Sequence, residues 1–374
     1  MATPKISVII PLYNHENFIR GTILSVLNQQ IKELEIIVID DGSKDQSANE
    51  VSTISDDRIR FYSQQNCGAH NTINRGIQLA KGKYISILNS DDLYHPDRLQ
   101  KCLHYLSTNR DVDAVFTKVE AIDDNDKHLY FFKNSPPRRN SGTRTHPDQL
   151  IVPDLLGINI TTTTSNIFCR REIFADIGVF RMFRYCHDLD WLLRCVYHKH
   201  VRIIPEPLLQ YRFHQSNTIK ENVAMICFEV GLILADFMMK HDLGIFFPNS
   251  DKSQIMAEIS RSLHFKSIDR MLAILTIFTT DKDYWPDFLQ TLLQDESDPF
   301  RLACLDHINA SLQQDEELKA INLATARLNE EYEQQISINK LYEKSLSLKI
   351  GRALTWPARR ILNFQSKPNR NQKH

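Results

Sequence analysis

Strand-like and helix-like segments alternate through roughly the first 120 residues, and this alternation restricts the fold more than any other feature of the chain. Short β-branched runs recur at Ile6–Ile10, Glu35–Ile39, Ile59–Tyr62, Tyr84–Leu88 and Ala114–Val119. Between the first two, Ile19, Ile23, Val26 and Leu27 fall on one helical face. Ser43 or Asp45 is placed to cap a helix over Gln46–Ile54, a third helix reads from His70 to Ala80, and a fourth opens at Pro96, a favoured first helical position. Strands separated by single helices imply right-handed crossovers and a mainly parallel sheet flanked by helices, an α/β fold. Such sheets bind ligands at the carboxyl ends of their strands, so the chemistry is expected there.

Beyond the fifth strand the pattern is less regular. Residues 118–147 read as a hairpin and a loop, with Thr163–Phe168 as a strand, Arg171–Ile177 as a short helix, Cys186–His198 as a helix and Val201–Ile204 as a strand. This bounds a first domain at 1–220. Residues 221–310 read as a helical region without recognisable chemistry, and 311–347 as one long polar helix. In that helix Leu318, Ile321, Thr325, Leu328, Tyr332, Ile336, Asn339, Tyr342 and Leu346 recur at spacings of three and four. Such a seam would pair copies of the chain into a homo-oligomer, or would pack on its own domain; both readings stay open. Residues 348–374 form a basic amphipathic tail, and from Lys344 onward basic residues mix with Trp356 and aliphatics without an acid. That composition suits an anionic membrane surface, or a solvated C-terminus.

The charge balance of 45 Lys+Arg against 46 Asp+Glu argues against a dedicated nucleic-acid binder. Seven scattered cysteines without a CxxC pair read as reduced thiols. The N-terminus lacks the apolar core of a signal peptide, and the most apolar stretch, Ala224–Met239, is interrupted by Glu229 and Asp236. The expectation is a cytoplasmic chain, peripheral at the inner face of the cell membrane if the tail binds there.

Three strand ends carry polar groups: Pro11-Leu12-Tyr13-Asn14, Asp40-Asp41-Gly42-Ser43-Lys44-Asp45 and Asn89-Ser90-Asp91-Asp92. Asp-Gly-Ser is also an ordinary turn sequence. Acids on two strand ends of one sheet repel unless a cation or proton joins them, and a hard divalent cation held with substrate phosphates fits. Neither a Walker loop nor a GxGxxG after the first strand is present.

Those motifs, with Asn66-Cys67-Gly68, Asn74-Arg75-Gly76-Ile77, Ala80-Lys81-Gly82-Lys83-Tyr84-Ile85 and His187-Asp188-Leu189-Asp190-Trp191-Leu192-Leu193-Arg194, resemble an inverting family 2 glycosyltransferase of the GT-A fold over residues 4–217. The resemblance implies transfer of a sugar from a nucleotide-diphosphate donor, UDP by default with GDP and dTDP open, to a hydroxyl of a glycan or lipid-linked acceptor, in cell-surface polysaccharide assembly. It implies that Tyr13 lies against the base and Asp41 accepts a hydrogen bond from it, with Pro11, Asn14, Asp40, Asn89 and Ser90 completing the nucleotide site. Asp91 matches the metal-binding acid for Mg²⁺ or Mn²⁺, while Asn89 replaces the first acid of that motif. Asp188 matches the general base and His187 stands where the family usually has Glu. His187, Arg212 and His214 are candidates for the diphosphate or the acceptor, with a surface position the other reading for Arg212 and His214, and Ile73 replaces a common Arg. Asp92 is expected to cap a turn, Asp190 to be structural, Thr161–Thr164 to be strand entry and Arg170-Arg171 to be solvated. The alternatives are a catalytically inactive sugar-nucleotide-binding or scaffolding protein acting through the helical C-terminal region, and a nucleotidyltransferase.

Overall fold

The computed structural model describes residues 3–132, 148–155, 161–215, 217, 221–242, 245–246, 285–314 and 316. The proposed long helix beyond residue 316, the basic tail and the proline-rich loop at 133–147 lie outside the described residues. Residues 1–309 form one compact unit and 310–374 a second.

The chain runs β1 (Ile6–Leu12), α1 (Ile19–Leu27), β2 (Leu34–Asp40), α2 (Ser47–Ser52), β3 (Ile59–Ser63), α3 (Ala69–Leu79), β4 (Tyr84–Ile87), β5 (Leu93–Tyr94), α4 (Arg98–Thr108), β6 (Ala114–Ile122) and β7 (His128–Phe131). Then follow β8 (Gln149–Leu150), α5 (Val152–Leu155), a 3-10 turn Thr164–Asn166, β9 (Phe168–Arg170), α6 (Ile173–Ile177), α7 (His187–His198), β10 (Val201–Arg212), α8 (Val223–Lys240) and α9 (Trp285–Gln294). The sheet order is β3-β2-β1-β4-β9-β6-β10-β5, with β7 on β6 and β8 on β10. β1, β2, β3 and β4 are parallel. β9 lies antiparallel to both β4 and β6, and β6 is parallel to β10. Two reversals restore direction, so β1, β2, β4, β6 and β10 all end at the same edge.

The apolar runs of β1 and β2 are continuous because both sheet faces are covered. Ile6, Val8, Ile10 and Leu12 join Ile19, Ile23, Val26 and Leu27 of α1 in one core. On the other face α3 comes so close that a Cβ on Gly76 would lie 2.3 Å from Ile9 Cγ2. Pro11 follows Ile9↔Ile87, the last β1–β4 pair, so its missing N–H leaves no gap in that ladder.

Three segments depart from the sequence expectation. Thr163–Phe168 is not a strand; Thr163 accepts from Ser165 N and starts the 3-10 turn, and strand geometry begins at Phe168. The Asn166 side chain bonds the backbone N–H and C=O of Thr117, taking the place a strand neighbour would occupy. β10 does not stop at Ile204 but runs to Arg212, with register shifts around Pro207 that let proline sit in a long strand. Arg170 is not solvated: it is buried in β9, donating to the carbonyls of Val112 and Leu106. Among the described residues, no helix is long and apolar enough to cross a membrane.

Candidate active site

The loops after β1 and β2 are stitched together reciprocally. Asn14 N donates to Ser43 Oγ and Lys44 N to Asn14 Oδ1; His15 N donates to Ser47 Oγ, Glu16 N to Asp45 Oδ2 and Gln46 N to Glu16 Oε2. Asn14 takes a left-handed φ of 52° at this turn, which Asn tolerates better than most residues. Of the two proposed caps of α2, Asp45 takes the role, accepting from Ser47 N at 3.0 Å. Asp40 accepts from Ser43 N at 3.1 Å and so supports its own loop. Asp41 is buried; its Oδ1 accepts from Gln64 Nε2 and Cys67 N and its Oδ2 from Gly68 N, which fixes the Asn66–Gly68 loop against the end of β2. Tyr13, next to this frame, is 42% exposed. Ile73 is fully buried in α3 and faces no ligand.

The end of β4 holds the most polar centre. Asp91 Oδ2 is 2.9 Å from His214 Nε2, and His15 Nδ1 is 2.7 Å from Ser90 Oγ. One ligand atom from each of His15, Asp91 and His214 lies within 4.8 Å of the others, a spacing and donor set that fit a divalent cation. The three follow β1, β4 and β10, whose ends the sheet order brings to one edge. Burial pushes the Asp91 carboxyl up, but the hydrogen bond with His214 and the nearby His15 hold it net below its ordinary value. Burial lowers His15, favouring the neutral imidazole that a metal needs. His15 carries no signal in the sequence, because a lone His a few residues past a strand stands out only once β10 delivers a second.

Asp92 is not a turn cap. It is fully buried, accepting from Ser165 Oγ at 2.5 Å and from Arg212 N at 3.0 Å, and burial followed by the Asp91 charge raises its pKa well above the usual range. Thr161–Thr164 likewise belongs to the wall of the site: Asn89 Nδ2 donates to Thr163 Oγ1, Asn89 N to Ser165 Oγ, and Thr164 Oγ1 lies 3.3 Å from His187 Nε2. Behind this turn Arg98, fully buried, donates to Thr117 Oγ1 and to the carbonyl of Asn166. Arg212 is buried and clamped, donating to the carbonyls of Asp91 and Asp123 and pairing with Asp126 at 2.5 Å. Its three nitrogens are thus engaged within the fold, which makes it a brace for the Asp91 loop.

The second half of the site is the start of α7. Asp188 is half-buried in the first turn, and its Oδ1 accepts from Leu189 N at 2.7 Å. His187 is buried, and burial lowers its pKa. Asp190 is structural, as expected: it is buried and paired with Arg181 and Arg194. Burial first, and then the charges of Asp92, Asp91 and Asp188, raise the Tyr211 phenol far above its ordinary value. Asn74 completes the frame, its amide bonding Phe180 N and O in the segment that leads to α7.

Comparison with known proteins agrees with this geometry. The family model described as Glycosyl transferase family 2 matches residues 7–178. Among curated relatives, an uncharacterized glycosyltransferase of Rickettsia typhi is 32% identical over 58% of this chain and 66% of its own length. One of Rickettsia bellii is 35% identical over 50% of this chain and 25% of its own length, and one of Methanocaldococcus jannaschii is 29% identical over 57% and 72%. The chain thus spans less than two thirds of the length of the two rickettsial relatives. Residues 1–349 of Staphylococcus aureus TarS, solved with UDP-GlcNAc, align with a TM-score of 0.50 at 15% identity over 78% of this chain and 92% of that one, a likeness of fold. The strands ending at one polar edge and the fold of GT-A type agree with the match of residues 7–178 to glycosyl transferase family 2.

Proposed function

We propose that the chain transfers a sugar, with inversion, from a nucleotide-diphosphate donor to a hydroxyl of a glycan or lipid-linked acceptor. The observation that carries this reading is the cluster of His15, Asp91 and His214 at the edge where β1, β4 and β10 end. Tyr13 stacks on the base, while Asp41 and the stitched loops of Asn14 and Ser43 frame the nucleoside; Pro11, Asp40, Asn89 and Ser90 support that frame. His15, Asp91 and His214 would hold Mg²⁺ or Mn²⁺, whose charge would offset that developing on the departing nucleoside diphosphate. Asp188 takes the proton from the acceptor hydroxyl as its oxygen bonds the anomeric carbon. The bond from that carbon to the diphosphate oxygen breaks with its electron pair leaving on the diphosphate, and attack from the opposite face inverts the centre. A neutral His187 beside Asp188 orients the acceptor or the helix start without adding negative charge.

UDP is the default nucleotide, and UDP-GlcNAc, the donor seen with TarS, is the first to test. Polysaccharide assembly at the inner face of a membrane is the proposed setting, with the basic tail 348–374 as the contact. The test is a panel of nucleotide sugars with Mn²⁺ or Mg²⁺, following release of nucleoside diphosphate by wild type and Asp91→Ala. Metal-dependent release from one donor, abolished in the variant, is expected. A donor that binds without ever being turned over, even with candidate acceptors, would favour the non-catalytic alternative. Failure to bind any nucleotide sugar would overturn the reading.

A further inference from the structure

α8 is an apolar helix with two acids in its buried face, Glu229 and Asp236, seven residues apart. A carboxylate in such a place is unfavourable unless its oxygens are satisfied, and replacing a buried ionic group by an apolar one is often neutral or stabilising. One short stretch of chain satisfies Glu229 and supplies one of the partners of Asp236, which Lys240 also pairs at 2.7 Å. Glu229 Oε1 accepts from Arg184 N at 2.7 Å, and Oε2 accepts from Tyr185 N at 2.8 Å and Cys186 N at 2.9 Å. Asp236 pairs with Arg181 at 2.7 Å and accepts from Trp285 Nε1 of α9 at 2.8 Å; Arg181 in turn pairs with Asp190. The gripped residues, 181–186, lead directly into α7. Cys186, the residue before that helix, offers no side-chain cap of its own, and Asp188 follows two positions later.

We propose that Glu229 is a positioning residue: by binding three consecutive N–H groups it sets where α7 begins and thereby where the Asp188 carboxylate stands against the acceptor hydroxyl. The proposal rests on the reading of Asp188 as base. It assigns a catalytic purpose to a helix outside the segment that matches the family. It also accounts for an acid in the most apolar stretch of the sequence. A misplacement of the base by about 1 Å costs on the order of 10²-fold in rate, so the effect should be large.

The test uses the full chain with Mn²⁺, UDP as binding probe, and the donor that wild type turns over. Glu229→Gln keeps the size but places an amide N–H₂ against N–H donors. It should lower kcat by about 10²-fold, leave UDP affinity and donor KM within about threefold, and add no further loss in an Asp188→Asn background. An equal loss whether or not Asp188→Asn is present, an unchanged kcat, or a parallel fall in UDP affinity would overturn the proposal. Hydrogen exchange of wild type provides a second measurement that needs no variant: the amides of 184–186 should be among the protected ones, and free exchange there would sink the anchor. Absence of UDP binding by wild type would instead overturn the transferase reading, while the exchange result would still judge the Glu229 contact.

Discussion

Asp188→Asn separates catalysis from folding more cleanly than any other change in this site. The side chain acts on stability in two ways. Its charge in the first turn of α7 favours the helix dipole by roughly 0.3–1 kcal/mol. Its Oδ1 accepts from Leu189 N at 2.7 Å, a bond that the amide oxygen of Asn can still accept. The stability loss is therefore about 1 kcal/mol or less, a fall of roughly 2–4 °C in Tm. Loss of a general base lowers the rate by about 10²–10⁴-fold, which at about 1.36 kcal/mol per decade is roughly 3–5 kcal/mol of transition-state stabilisation. The catalytic effect exceeds the folding effect several times over, so it must appear in turnover rather than in the amount of folded protein. The assay is steady-state release of nucleoside diphosphate from the preferred donor, with Mn²⁺-dependent UDP affinity and Tm measured on the same preparations. Turnover should fall by at least about 10²-fold with UDP affinity within about threefold. Turnover within about threefold of wild type would refute the role of Asp188 as base, and a matching loss of UDP affinity would move it to the donor site.

His15→Ala and His214→Ala should each weaken Mn²⁺ binding in the presence of UDP by at least about tenfold, read by the electron paramagnetic resonance of free Mn²⁺; unchanged binding in both would remove the imidazoles from the site. Because imidazole suits transition metals better than Mg²⁺, the wild-type site should hold Mn²⁺ more tightly than Mg²⁺, and the reverse order in calorimetry would contradict the donor set. Gly76→Ala adds a Cβ 2.3 Å from Ile9 Cγ2, an overpacking of about 1–3 kcal/mol that outweighs the helix propensity gained; a thermal melt should show a loss, and a rise in Tm would mean that α3 shifts freely. Burial, and then the neighbouring His187, lower the pKa of His70 to about 4 in the folded chain. Between the ordinary value near 6.5 and about 4 the unfolded chain takes up a proton that the folded one refuses, so this stabilisation is present above that window and is lost as pH falls through it. His70→Gln should flatten the pH dependence of Tm there, and identical slopes for variant and wild type would show that His70 plays no part.

The α/β alternation is legible in the sequence because it is local. Periodicity within ten residues reports which face of a helix or strand is buried, and Ile19, Ile23, Val26 and Leu27 are indeed on the buried face of α1. The shared edge at the ends of β1, β2 and β4 follows from strand direction alone. The buried polar positions that depart from expectation share a cause: the partner of each lies far away in sequence. Asp92 meets Ser165 73 positions on and Arg212 120 positions on; Arg98 meets Asn166 at a distance of 68. A buried polar side chain looks like a surface one until its partner is known, because hydrogen bonding is what permits its burial. Arg170 reads as solvated for the same reason, and Glu229 as mere interruption of an apolar run.

The departures at Asn89 and His15 are best understood together. An acid at position 89 would add a second negative charge beside Asp91, while Asp92, one residue further, is already pushed toward its neutral form by burial and by that same Asp91. Asn89 instead donates to Thr163 Oγ1, where a carboxylate could only accept, and its backbone N–H joins Ser165 Oγ, which also holds Asp92. The amide thus belongs to the wall formed by the Thr163–Asn166 turn rather than to the cation. On the proposed reading the site has one anionic donor fewer there and an imidazole available at His15, whose pKa burial lowers and whose Nδ1 lies 2.7 Å from Ser90 Oγ. Such a softer, less anionic site would repel the diphosphate less before a cation arrives and would depend more on that cation being a transition metal.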